Sequence, residues 1–335
     1  MEDQLALDSM PDAQPWTKAI PPARNRLQSR ILVWLLVPAL CYAAFFCFQM
    51  LLAREDPAFL RSIIHSWLIH EIPVSALFGL AAWRLRAATA PAAACGALIC
   101  FQITVATYWG LDSSIFHTGL TPLLLLFILT FEATRLSQRR RRADDSTESH
   151  GPRNTAQVVA NLGVAALLVL GWGRELLFIV GHVPGDIQGD SDRAIRYYAI
   201  LYLPMLAALA EAAADTVSSE IGQAFGGQPF LLTTLRRVPP GTDGAVSLNG
   251  TLAGIAAAAI VAASGAPALG MSLSECLVAF AAAILGLFFD SLLGATLERR
   301  GWIGNDLVNF ASTAFPASTS LAAVRFFGDS LAGFR

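Results

Sequence analysis

Apolar residues in this chain neither alternate with polar ones at the period of a strand nor form the single stripe of a soluble amphipathic helix. They come in long blocks, separated by short stretches rich in Arg, Asp, Gly and Pro. A bilayer core of about 30 Å is crossed by roughly 20 consecutive apolar residues in a helix. Blocks near that length lie at 31–53, 63–85, 90–109, 118–134, 157–180, 195–214, 248–266, 273–293 and 307–327. In hydrocarbon each must satisfy its own backbone groups, and the short alternating segments of a barrel are missing. The pattern predicts an all-α, polytopic integral membrane protein with about nine transmembrane helices.

Composition agrees. Of 335 residues 55% are hydrophobic and 14% charged, whereas a soluble domain carries about 25% charge. The formal net charge of −2 leaves no basic face for phosphodiesters, so no nucleic-acid partner is expected. Cys41, Cys47, Cys95, Cys100 and Cys276 are scattered through apolar blocks without a C-x-x-C pair and read as small buried hydrophobes. Basic residues give the orientation, because cytoplasmic loops retain them. Lys18, Arg24, Arg26 and Arg30 precede the first block, Arg84 and Arg86 follow the second, and Arg135, Arg139–Arg142 and Arg153 follow the fourth. Alternate loops hold Asp112 or Asp186, Asp190 and Asp192. Nine crossings then place the amino terminus in the cytoplasm and the carboxyl terminus outside a bacterial-type inner membrane. The expected organisation is a polar cytoplasmic tail over 1–30, amino-terminal transmembrane helices over 31–135, a basic cytoplasmic linker over 136–156 and a motif-bearing transmembrane domain over 157–335.

Polar residues at membrane depth are costly, so those the spans do not need point to function. The sixth block runs into Glu211, Asp215, Thr216, Ser218, Ser219, Glu220 and Gly222, of which Glu211, Asp215, Ser218, Ser219 and Gly222 share one helical face. Two carboxylates one turn apart repel, and a divalent cation with oxygen ligands is a fitting counter-charge. Arg236 and Arg237 open a turn-rich loop through Pro239, Pro240, Gly241, Thr242, Asp243 and Gly244 to Ser247, suited to wrapping phosphate with backbone amides. Asp290 and Ser291 follow an apolar run without an adjacent base, so Asp290 needs a partner in space. Asn305, Asp306 and Asn309 open the last block, and Arg153, Asn154, Gln157 and Asn161 open the fifth. On the nine-span topology all these segments meet at the cytoplasmic face. The chemistry that fits is phosphoryl transfer, with Mg²⁺ and cations spread over the phosphates. Walker A is absent and Lys18 is the only lysine, so a nucleotide must be held by arginine, amides and metal. His65, His70, His117, His150 and His182 receive no role, and Arg174–Glu175 reads as an interfacial pair.

Three stretches carry a resemblance: Asp215-Thr216-x-x-Ser219-Glu220-Ile-Gly222, then 238–247 with Gly250-Thr251, then Asp290-Ser-Leu-Leu-Gly-Ala-Thr296. They resemble the integral-membrane family that includes plant and cyanobacterial phytyl-phosphate kinases and the vertebrate transmembrane protein nineteen. Arg153-Asn-x-x-Gln157 with Asn161-x-Gly163 looks like its preceding element, and Val217 stands where that family usually has tryptophan. The resemblance implies phosphorylation of an isoprenoid monophosphate to the diphosphate, with CTP as donor and Mg²⁺ as cofactor. It makes Asp215, Asp243 and Asp290 the catalytic candidates and Asp215, Glu220 and Asp290 the metal ligands. Substrate and nucleotide contacts would come from Arg153, Asn154, Gln157, Thr216, Ser219, Arg237, Gly241, Thr242, Gly244, Ser247, Ser291, Asn305 and Asn309. Two other readings stay open: a polyprenyl-phosphate or lipid transporter using the acids as ion sites, and a nucleotidyltransferase forming a CDP-lipid.

Overall fold

The computed structural model describes residues 20–52, 57–107, 114–143, 151–169 and 191–333. Asp112, His150, Arg174, Glu175, His182, Asp186 and Asp190 lie outside them. Among the described residues the chain forms nine helical rods. These are α1 (Pro22–Leu52), α2 (Pro57–Ser66, continued through a π-helical turn Trp67–Glu71 into Ile72–Arg84), α3 (Ala90–Thr107), α4 (Leu120–Ala143) and α5 (Thr155–Leu167). After them come α6 (Ser191–Phe225), α7 (Leu248–Ala263, extended by Gly265–Leu269), α8 (Leu273–Leu293, ending in a π-helical turn Gly294–Glu298) and α9 (Asn305–Gly333). Six rods of the described chain are long and apolar enough by themselves to cross a membrane: α1, α2, α3, α4, α7 and α8. A minimal antiparallel pair, β1 (Phe230–Leu231) with β2 (Ala245–Val246), lies between α6 and α7.

The arrangement is built around α6. From Leu203 to Ala214 every residue is buried, with Leu203, Met205, Leu206, Leu209 and the intervening alanines without exposure. A helix apolar on every side belongs in the middle of a bundle, and alanine on every side lets neighbours approach from all of them. Accordingly α4, α5, α7, α8 and α9 all pack on α6. The outer rods show the reverse: Trp34, Leu35, Tyr42, Leu68 and Leu77 are more than half exposed, as side chains facing lipid must be. Cys41, Cys95, Cys100 and Cys276 are free thiols, the last three buried.

Three boundaries differ from the sequence reading, each for a packing reason. The sixth span does not end at its acids; the same helix carries them on to Phe225, because α7 continues to pack along it. The polar tail turns helical at Pro22 and docks. Arg24 donates to the Gly301 carbonyl at 3.0 Å, Gln28 to that of Trp302 at 2.8 Å, and the Gln28 side-chain oxygen accepts from the Gly304 amide at 2.8 Å. The start of the basic linker is helical as far as Ala143. Arg153 is then pinned to the α2–α3 turn, its amide donating to Ala87 O at 3.0 Å and its carbonyl accepting from Thr89 at 2.9 Å.

Candidate functional site

At one end of the bundle a polar cavity of about 500 Å³ opens between α4, α5, α6, α8, α9 and the α6–α7 loop. Its wall holds five carboxylates, Asp215, Glu220, Asp243, Asp290 and Glu298, against two guanidiniums, Arg141 and Arg153. Carboxyls outnumber guanidiniums on this wall, a balance that favours cations away from Arg141 and Arg153.

The floor comes from α6 and α8. Asp215 and Asp290 lie close to one another, and Glu211 lies close to both, one turn before Asp215 on α6. Asp290 Oδ1 and both Glu211 oxygens are buried without a hydrogen-bond partner. Ser312, the hydroxyl facing Glu211, donates to the Asn309 carbonyl at 3.1 Å. Space for Glu211 is made by Gly286, where a Cβ would lie 2.6 Å from Glu211 Cγ. Buried carboxylate oxygens without donors, beside a second carboxylate, form the start of a cation site. Among the described residues no three His, Cys, Asp or Glu side chains close into a ready-made cage. Two carboxylates with substrate oxygens completing the shell is the arrangement Mg²⁺ commonly takes.

One side wall is set by helix capping. Asn154 caps α5 by accepting from the Gln157 amide at 3.0 Å, and Gln157 returns the bond by accepting from the Asn154 amide at 2.9 Å. This capping box uses both side-chain oxygens and leaves both NH₂ groups as donors. Arg153 makes only a long contact to Thr216 Oγ, 3.4 Å, and forms no ion pair among the described residues. Burial pulls its basicity down while Glu220 and Asp215 push it up. It is a desolvated cation with room for an anion.

The opposite wall is the Pro239–Gly244 loop. The β1–β2 pair closes it, Thr242 Oγ donates to the Pro239 carbonyl at 2.7 Å, and Ala245 N to Thr242 O at 3.0 Å. Gly241 and Gly244 have φ of 83° and 70°, left-handed values suited to glycine. Gly244 presses on the π-turn of α8: a Cβ there would run into Ala295 N, and one on Gly294 would lie 2.7 Å from Gly244 N. This contact brings Asp243 to the cavity rim, where partial desolvation pushes its carboxyl up and Arg299 pulls it down. The π-turn also turns Glu298 into the cavity, in keeping with the use of such turns at functional sites.

Most of the expected residues therefore meet. Asp215, Asp243, Asp290, Glu220, Arg153, Asn154, Gln157, Thr216, Ser219, Gly241, Thr242, Gly244, Ser247, Ser291, Asn305 and Asn309 all line this one cavity. Several are occupied by structural bonds. Ser247 caps α7 by accepting from Gly250 N at 3.2 Å, and Ser219 and Ser291 donate to helix carbonyls of Thr216 and Leu287. Glu220 departs from expectation: Arg141 Nη2 binds one oxygen at 3.0 Å and Thr134 donates to the other at 3.1 Å, so it holds a wall together. Arg237 is also misplaced; it is exposed and donates to Gln228 at 2.9 Å. Its substitution by alanine should leave turnover within about twofold, as for an exposed side chain outside the site, and steady-state kinetics of the purified variant will show it. Arg141 escaped the sequence reading because nothing local separates it from Arg139, Arg140 and Arg142. Glu298 escaped because only the π-turn redirects it.

Comparison with known proteins follows this geometry. The integral membrane protein family DUF92 matches residues 73–317, which include every residue that lines the cavity. The chain belongs to this family. The uncharacterised membrane protein sll0875 of Synechocystis is 31% identical over 61% of this chain and 72% of its own length. Protein PGR of Arabidopsis thaliana is 31% identical over 54% of this chain and 64% of its own. The chloroplastic protein VTE6 of the same plant is 36% identical over 33% of this chain and 34% of its own. No solved structure matches. The DUF92 match makes the protein an integral membrane protein, in agreement with the exposed apolar belt.

Proposed function

We propose that this DUF92 protein is a kinase that transfers a phosphoryl group from a nucleoside triphosphate, CTP, to an isoprenoid monophosphate at the cytoplasmic membrane face. The observation that carries the reading is the pair Asp215–Asp290, with orphaned carboxylate oxygens beneath it, in a cavity that also offers Arg153 and free amide donors. Asp215 and Asp290 are the residues that would hold Mg²⁺, which supplies charge neutralisation for the transferring phosphoryl group. Arg153 and the Asn154 and Gln157 amides bind phosphate oxygens, and the Pro239–Gly244 loop orients the donor. An oxygen of the acceptor monophosphate attacks the γ-phosphorus, the bond to the β–γ bridging oxygen breaks, and CDP leaves. A phosphate monoester is already an anionic nucleophile near neutral pH, so no side chain has to remove a proton. The acids cluster at one end of the bundle, which favours a headgroup reaction over transport through the midplane.

Purified protein in nanodiscs, given γ-labelled CTP and a prenyl monophosphate, should yield labelled prenyl diphosphate and CDP. Chelation with EDTA should stop turnover and excess Mg²⁺ should restore it. Release of pyrophosphate instead would make the protein a CDP-lipid-forming nucleotidyltransferase, and no consumption of CTP would leave the transporter reading.

A further inference from the structure

A second cavity, about 120 Å³, lies beside the polar one, enclosed by α2, α3, α4, α5 and α6. Its character is different. Phe78, Phe127 and Phe131 form one wall, with the Phe78 and Phe127 rings edge to face at 5.3 Å and the Phe127 and Phe131 rings stacked at 5.9 Å. The facing wall is Ala88, Ala92, Ala93 and Gly96, a strip of small residues that leaves the space open. The two cavities adjoin: Thr134, Gly151, Arg153 and Asn161 line both. Arg135 stands at the outer edge, its guanidinium 4.7 Å from the Phe131 ring centre and donating to the Leu85 carbonyl at 3.2 Å.

We infer that this cavity is the binding site for the hydrocarbon chain of the phosphate acceptor, taking the isoprene unit next to the phosphate; the inference rests on the kinase reading. Three observations fix the occupant. The space has an apolar wall of Phe, Ala and Leu side chains, and Arg86, Arg135 and Arg153 also line it, Arg153 where it adjoins the polar cavity, so it fits an amphiphile with an anionic head. Its volume is just below the 150 Å³ of a cavity that holds benzene, which suits one five-carbon unit and leaves the remaining chain to lie among lipids. The acid-lined polar cavity repels a bare phosphate, so Arg153, at the junction, is where the acceptor headgroup can rest without a metal ion. Arg135 over Phe131 closes the exposed edge of the space with its stem on apolar surface and its charge outward.

Gly96 provides the test, because a Cβ there meets only Phe78 Cε1, at 3.8 Å, and a larger side chain extends into the open space. A geranylgeranyl monophosphate analogue with a diazirine on the unit next to the phosphate should label α3 and α4, between Ala92 and Phe131, in the full-length protein in nanodiscs. Unlabelled prenyl monophosphate should compete, whereas phosphatidylglycerol should not. Gly96→Leu should abolish the labelling and raise KM for the prenyl acceptor about tenfold, the scale of a methylene-sized misfit, with KM for CTP unchanged. Phe127→Ala, which enlarges the same space, should move the label along α4 and serves if Gly96→Leu is poorly expressed. Label on α1, label unchanged in both variants, or competition by phosphatidylglycerol would overturn the assignment even if the protein proves to be a kinase. Labelling as expected without CTP turnover would keep the site and sink the kinase reading instead.

Discussion

Asp290→Asn should remove nearly all turnover and at the same time make the folded protein more resistant to heat. The activity loss is expected at about a hundredfold to a thousandfold in kcat, the scale found when one electrostatic contact to the transition state is removed. Asparagine keeps the shape and loses the charge that balances a metal ion. Stability moves the other way, because Asp215, Asp290 and Glu211 are like-charged groups crowded between α6 and α8, and Asp290 Oδ1 has no donor. Asparagine cannot ionise and its amide can donate to a neighbouring carboxyl, which relieves the crowding, a gain of about 1–2 kcal/mol of the kind seen when functional sites are relaxed. The melting temperature in metal-free detergent should rise, and added Mg²⁺ should stabilise the native protein but not the variant. An active Asp290→Asn enzyme, or one that melts lower without metal, would refute the cation site.

Gly244→Ala should be nearly as damaging to activity, by a different route. The left-handed conformation costs an alanine about 1–2 kcal/mol, and its Cβ would run into the backbone of Ala295, which cannot swing aside as a side-chain tip does. The loop must lift from the π-turn of α8, taking Asp243 away from the cavity. The helices are packed independently of this contact, so expression and thermal stability should stay close to native while kcat/KM falls about a hundredfold, as for catalytic groups displaced by about 1 Å. Gly241→Ala is the comparison: its φ is also positive, but nothing lies within 4 Å of a Cβ there, so only the conformational cost applies. Equal losses for the two variants would mean that the contact with α8 is unimportant.

Membrane character, nine helical rods and the identity of most cavity residues were legible in the chain because each rests on local chemistry. An apolar block of bilayer length has few alternatives to a helix. A carboxylate in such a block has to be compensated somewhere, so Asp215 and Asp290 stand out from the sequence alone. The Asn154–Gln157 pair has the spacing of a capping box, and the Pro-Pro-Gly-Thr-Asp-Gly run could only be a turn. What the chain could not reveal was which groups satisfy one another. Glu220 is expected as a metal ligand, yet in the fold Arg141, 79 residues earlier in sequence, binds one of its oxygens. Arg237 is expected as a phosphate contact beside the right loop, yet it is exposed, is not part of the cavity lining and donates to Gln228.

The linear order of amino acids thus decided where the chain enters lipid, which end of each helix is polar, and that uncompensated negative charge must gather at that end. Those properties follow from solvation, which acts on each segment separately. The fold alone decided that α6 sits at the centre, that Gly286 yields room to Glu211, that Gly244 rests on the turn after α8, and that an apolar cavity opens beside Arg153. These depend on distances between segments remote in sequence, and van der Waals contact, unlike solvation, exists only once both partners are in place.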